Sequence, residues 1–140
     1  MGEVVGLTAG VYDLTHEGHI RLFERIRERA DKLVSVVHDD RSCYEIKGKI
    51  PVQDLDHRLR NLGIIGLHDE IVVTTSADPA DEFREVVERY RGKGDTVEYF
   101  RGDDLTAPFP GSWLLEEVGV PITYLPYTQG VSSTQIRSSL

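Results

Sequence analysis

The chain has 140 residues, 39% hydrophobic and 29% charged, which suits one soluble globular domain and excludes disordered and collagen-like classes. Its net charge of −8 repels polyanions, and no stretch approaches the roughly 18 apolar residues of a membrane span, so neither nucleic acid nor membrane is an expected partner. Cys43 is the sole cysteine and Met1-Gly2-Glu3 runs straight into Val4-Val5 without a signal-peptide pattern, so the expectation is a cytoplasmic protein with no internal disulfide and no cysteine-metal cluster.

Val4 to Val11 is apolar at nearly every position, with Gly6, Ala9 and Gly10 as small members, the pattern of a strand buried on both faces of a parallel sheet. From Gly18 the period changes: Ile20, Leu22, Phe23, Ile26 and Ala30 share one helical face, and Arg21, Glu24, Arg25, Arg27, Glu28 and Arg29 cover the other. Leu33 to Val37 predicts a second strand that ends near His38-Asp39-Asp40. A polar loop is expected through Lys49, then Pro51, a helix from about Asp54 to Gly63, and a third strand from Glu70 to Thr74. Ala80 to Arg91 predicts a charged amphipathic helix stopped by Gly92 and Gly94, followed by a fourth strand from Val97 to Phe100. A loop with Pro108 and Pro110 leads to a short helix around Trp113 to Glu117, a fifth strand from Ile122 to Leu125 and a final helix opening at Ser132. Strands and helices that alternate over such short connections predict an α/β fold. The expected form is a Rossmann-like, doubly wound open parallel sheet of about five strands with helices on both faces, in one domain over residues 1–140.

Such sheets bind ligands beyond the carboxyl ends of their strands. His16-Glu17-Gly18-His19 falls where the first strand meets its helix, so both imidazoles and the Gly18 backbone lie at a helix N-terminus, whose unpaired N–H groups and partial positive charge favour phosphate. Two imidazoles there can donate to phosphoryl oxygens as charge moves to a leaving group; surface histidines and a zinc site are the alternatives, and the spacing does not match an HExxH helix. Of the four lysines, Lys47 and Lys49 flank Gly48 in a loop at the same rim, suited to a triphosphate or simply solvated. Ser132-Ser133-Thr134-Gln135 fits a capping box whose N–H groups and hydroxyls also suit phosphates. Asp13, Asp103 and Asp104 are turn carboxylates that a nucleotide's magnesium ion can use. Phe109 and Trp113 read as core or lid packing, His38, His57 and His68 as unaccompanied histidines.

Gly10-Val11-Tyr12-Asp13 followed by His16-Glu17-Gly18-His19 resembles the opening signature of the cytidylyltransferase branch of the HxGH nucleotidyltransferases. Lys47-Gly48-Lys49, His57-Arg58, Gly102-Asp103-Asp104 and Thr128 to Thr134 follow in the order of that branch's later landmarks, so the likeness covers Val4 to Arg137. It implies catalytic roles for His16, His19, Lys47 and Lys49. Nucleotide contacts are implied at Val11, Tyr12, Gly18, Gly102, Asp103, Thr128, Ser132, Ser133 and Thr134. The implied reaction moves CMP from CTP to a small phosphorylated alcohol and releases pyrophosphate, with Mg2+ accompanying the nucleotide. The glycerol 3-phosphate members, homodimers that make CDP-glycerol, are the most similar in length. Adenylyl transfer to a flavin, pantetheine or sugar phosphate, and a non-catalytic nucleotide-binding module, are the competing readings. Two positions depart from the branch: Tyr127 and Gly66 stand where arginines are expected, and Arg60, Arg101 and Arg137 are candidate replacements.

Overall fold

The computed structural model describes residues 2–103 and 108–126. Five parallel strands, β1 (Val4–Gly10), β2 (Lys32–His38), β3 (Glu70–Thr74), β4 (Thr96–Gly102) and β5 (Ile122–Leu125), form one sheet in the order β3-β2-β1-β4-β5. The helices between them are α1 (Glu17–Arg29), α2 (Asp40–Lys47), α3 (Leu55–Ile65), α4 (Ala80–Gly92) and α5 (Ser112–Glu117). This is the expected Rossmann-like α/β arrangement. The chain moves outward one way through β1, β2 and β3 and then restarts beside β1 with β4, so the order reverses between β1 and β4, and a crevice opens at their carboxyl ends.

The central strands β1 and β2 are covered on both faces, which is why they read as continuous apolar runs rather than alternating ones. Along β2, Val34 and Val36 turn toward Phe83, Val86 and Leu114 of α4 and α5, while Leu33 and Val37 turn toward Phe23, Ile26 and Leu62 of α1 and α3. Along β4, Tyr99 belongs to the first core and Phe100 to the second. Fully burying each such side chain contributes about 1.5–3 kcal/mol, so the two cores dominate the folding free energy.

The stretch after β2 departs from expectation. Where a polar loop through Lys49 is expected, α2 runs from Asp40 to Lys47 and ends the lysine pair's first member on a helix. Its ends rather than an apolar stripe make it. The Asp39 carboxylate accepts from Ser42 N at 2.8 Å, and Gly48 adopts the left-handed conformation at φ 73° with its N–H on Tyr44 O at 2.8 Å. Only Ser42 and Cys43 are buried along it, too few for hydrophobic periodicity to register. The final helix expected at Ser132 lies outside the described residues.

Candidate active site

Between β1 and α1 the backbone is strained. Tyr12 and Leu14 sit at φ 55° and 53°, the left-handed region that costs a residue with a side chain about 1–2 kcal/mol. Neighbours hold the turn in place: the buried Asp13 carboxylate accepts from Val52 N at 2.8 Å and Gln53 N at 3.0 Å, and Gln53 Oε1 accepts from Leu14 N at 3.1 Å. Arg58, whose side chain is fully buried, donates to the carbonyls of Val11 at 2.8 Å, His38 at 2.6 Å and Gln53 at 3.1 Å, and to Asp40 Oδ1 at 2.6 Å. One guanidinium thus joins the chain just beyond β1, the end of β2 and the segment before α3. Strain over-determined in this way is typical of functional turns, and what this one aims is His16.

His16 is the N-cap of α1. Its Nδ1 accepts from Gly18 N at 3.0 Å, and His19 Nδ1 accepts from His16 N at 3.2 Å, a reciprocal cap built from imidazoles. A ring nitrogen that accepts an N–H presents a lone pair, so each neutral ring carries its proton on Nε2. The rings lie 4.0 Å apart, and His16 Nε2 is buried with no hydrogen-bond partner among the described residues. Burial lowers the His16 pKa; burial, then the charges of His16 and Lys47, lowers that of His19 to about 3. At neutral pH both are therefore uncharged donors at the positive end of α1, where an anionic oxygen would satisfy them.

Lys47 closes the group from α2. Its charge acts on both His19 and His38, and with Gly10, Val11 and His38 it lines a cavity of about 230 Å³ at the reversal between β1 and β4. A larger hollow of about 450 Å³, lined by Gly94, Thr96 and Pro121, opens at the amino ends of the strands and contains none of the predicted site residues. The rim cavity is the one at which ligands of this fold bind.

The structure thus brings His16, Gly18, His19, Lys47 and Val11 together at one rim. Gly102 and Asp103 close β4, with Asp103 N donating to Leu125 O at 2.8 Å. Lys49 is exposed beyond Gly48, and its carbonyl accepts from Cys43 Sγ at 3.7 Å. Tyr12 is buried, 5% exposed, and its ring packs edge-on against Phe23 at 5.2 Å and His19 at 5.6 Å, so its backbone is the part that could meet a nucleotide. Thr128, Ser132, Ser133 and Thr134 lie outside the described residues, as do Asp104, Tyr127 and Arg137. Gly66 is the C-cap of α3 at φ 74°, next to the segment whose Asp69 N–H meets Leu33 O at the start of β2. An arginine there would stand at the end of the sheet away from this chain's own rim.

His38, read as unaccompanied, bonds Ser42 Oγ at 3.1 Å and lines the rim cavity, and His68 bonds Ser35 Oγ at 2.6 Å. Arg58 is the residue whose part sequence reasoning missed; the likeness marks His57-Arg58 as a landmark, but hydropathy reads any arginine as surface. No group of three or more His, Cys, Asp or Glu among the described residues is placed to share an ion, and Asp13 spends both oxygens on backbone N–H groups.

A reversal crevice with two neutral imidazole donors at a helix N-terminus and a lysine close enough to act on one of them is a site suited to phosphate. A family model for cytidylyltransferase-like domains matches residues 7–139, and the chain belongs to that family. Curated relatives named bifunctional protein HldE are 31% identical over 136 residues in Nitrosococcus oceani and 30% identical over 140 residues in Yersinia enterocolitica. These alignments cover 96% and 99% of this chain but 27% and 28% of the relatives, so the chain spans little more than a quarter of their length. A lipopolysaccharide core biosynthesis protein from Thermoplasma volcanium has a similar fold, with TM-score 0.64 and 22% identity over 91% of this chain and 98% of that one. Pantothenate synthetase from Thermus thermophilus aligns with TM-score 0.58 at 14% identity, over 96% of this chain and 61% of that one.

Proposed function

We propose that the chain transfers a nucleotidyl group from a nucleoside triphosphate to a small phosphorylated acceptor and releases pyrophosphate. The observation that carries this reading is the pair of Nε2–H donors at the start of α1, one of them buried and unpartnered among the described residues, with the charge of Lys47 near enough to act on His19. An acceptor phosphate oxygen forms a bond to the α-phosphorus, the bond from that phosphorus to the bridging oxygen breaks, and its electron pair leaves on pyrophosphate. No protein nucleophile is needed, so positioning and charge stabilisation supply the rate. His16 and His19 donate to the phosphoryl oxygens, Lys47 and Lys49 neutralise the polyphosphate, and Mg2+ travels with it. Gly102 and Asp103 stand beside the base, and Thr128 with Ser132, Ser133 and Thr134 takes the phosphate tail. The enzyme works as a cytoplasmic homodimer.

CTP and glycerol 3-phosphate are the first substrates to test. ATP with a sugar phosphate is the second pair, considered because glycine stands at position 66 where the glycerol-phosphate members tend to carry an arginine. Pyrophosphate release from CTP and ATP, each with glycerol 3-phosphate and with sugar phosphates, tests both. Turnover with one pair supports the reading, and tight nucleotide binding without turnover on any pair supports a non-catalytic module instead.

A further inference from the structure

The helix that carries Lys47 is held lightly. Only Ser42 and Cys43 are buried along α2, and residues 44–50 are all exposed, so no apolar stripe fastens it to the sheet. Its polar fastenings lie in the first turn. Arg58 donates to Asp40 Oδ1 at 2.6 Å, and the buried Ser42 hydroxyl meets the buried His38 ring, with Oγ 3.1 Å from Nδ1. The same ring faces a backbone group of Ser76 in the loop after β3, and the His38 carbonyl accepts from Arg58 at 2.6 Å. Thr74 O accepts from Asp39 N at 3.0 Å. The end of β2, the end of β3 and the start of α2 therefore meet around one imidazole.

Burial, opposed by Asp39 and aided by the charges of Arg58 and Lys47, holds the His38 pKa below 6.5, so the ring is neutral at pH 7 and carries one proton. The Ser76 group favours a protonated ring and so acts as an acceptor, which draws that proton to Nε2 and leaves Nδ1 as a lone pair. The Ser42 hydroxyl donates to it; its approaches to Asp39 O at 3.3 Å and Thr74 O at 3.4 Å are longer. Lys47 lies five residues beyond Ser42 on the same helix. At the usual helical rise that is about 7.5 Å, so a tilt of about 10° at the first turn displaces the lysine backbone by about 1.3 Å, and a misplacement of about 1 Å can cost about 10²-fold in rate. We propose that His38 is the positioning residue for Lys47: by accepting the Ser42 hydroxyl it fixes the angle at which α2 leaves β2, and so sets the lysine beside His19. This inference rests on the nucleotidyl-transfer reading above and adds the device that places its lysine.

Three variants test it. His38→Leu removes both ring nitrogens, Ser42→Ala removes the hydroxyl, and His38→Asn keeps an acceptor close to the position of Nδ1. Pyrophosphate release is measured for each, alone and combined with Lys47→Met, using the substrate pair that wild type turns over. Expected is a loss of about 10-fold in kcat/KM for His38→Leu and for Ser42→Ala, with His38→Asn within about twofold of wild type, and a further loss under about twofold when the same changes are added to Lys47→Met. Equal losses in both backgrounds, wild-type activity in His38→Leu, or a His38→Asn as impaired as His38→Leu overturns the proposal. Hydrogen exchange of the Cys43 to Gly48 amides supplies a readout free of turnover. It should quicken about 10-fold in His38→Leu and Ser42→Ala, stay near wild type in His38→Asn, and leave α1 and α4 unchanged. Unchanged exchange in α2, or acceleration spread equally over α1 and α4, overturns the proposal. Where wild type releases no pyrophosphate with any pair, the transfer reading fails, and the exchange pattern alone decides whether His38 docks α2.

Discussion

His16 has two separable duties, and single substitutions divide them. Nδ1 caps α1 by accepting from Gly18 N, and Nε2 is the unpartnered donor. Asparagine places an amide oxygen close to where Nδ1 stands and has nothing at the position of Nε2; it is also among the best N-cap residues. His16→Asn is expected to keep stability within about 0.5 kcal/mol of wild type while losing one preorganised donor to the phosphoryl oxygens, a loss of about 10²–10³ in kcat, or roughly 2.7–4 kcal/mol. His16→Ala loses the same donor and also the cap, about 1 kcal/mol, which lowers Tm by about 3 °C for a chain of this size. His16→Gln reverses the pattern: its amide nitrogen reaches toward the Nε2 position, so it destabilises like alanine but retains more turnover than asparagine. Thermal unfolding and steady-state pyrophosphate release on the three variants read both axes. Wild-type kcat in His16→Asn would refute the donor role, and equal destabilisation by Asn and Ala would refute the tautomer assignment.

Removing the charge of Arg58 with Arg58→Met strands three buried carbonyls and should cost about 3–5 kcal/mol, a fall of about 10–15 °C in Tm by scanning calorimetry; a fall under 3 °C would show that the clamp is dispensable. His19 and His68 have folded pKa values lowered to about 3 and about 4, both mainly by burial, from 6.5. The unfolded chain therefore binds their protons first as pH falls below 6.5. Stability present above that pH is lost on acidification, by up to about 1.4 kcal/mol per pH unit from each group between pH 6.5 and 4. Urea unfolding at pH 7, 6 and 5 measures the slope, and His68→Asn should make it shallower. Gly66→Arg forces a side-chain-bearing residue to φ 74°, so it should destabilise by about 1 kcal/mol in urea unfolding and leave turnover unimproved.

The order of strands and helices was legible because the central strands are buried on both faces and the long helices α1 and α4 carry an apolar stripe, as in Val4–Gly10 and Ala80–Gly92. The pairing of His16 with His19 was legible for a similarly local reason: a strand that hands directly to a helix places both histidines in one turn. α2 escaped notice because its stability resides in Asp39 and Gly48 at its ends rather than in periodicity. That Tyr12 takes a left-handed backbone and packs its ring against His19 was likewise not legible in the sequence.

Local patterning alone determined the fold class, the register of apolar faces and the helix start at which two imidazoles meet, since these depend on neighbours within a few residues. Tertiary structure decided which nitrogen of each imidazole is free, that Arg58 ties three segments together, and that Arg101 is stacked at the cavity's mouth. Those facts depend on contacts between residues such as Arg58 and Val11 or Arg101 and Phe109, brought together by chain reversal, packing and the exclusion of water, and no spacing in the sequence encodes the angle at which such groups meet.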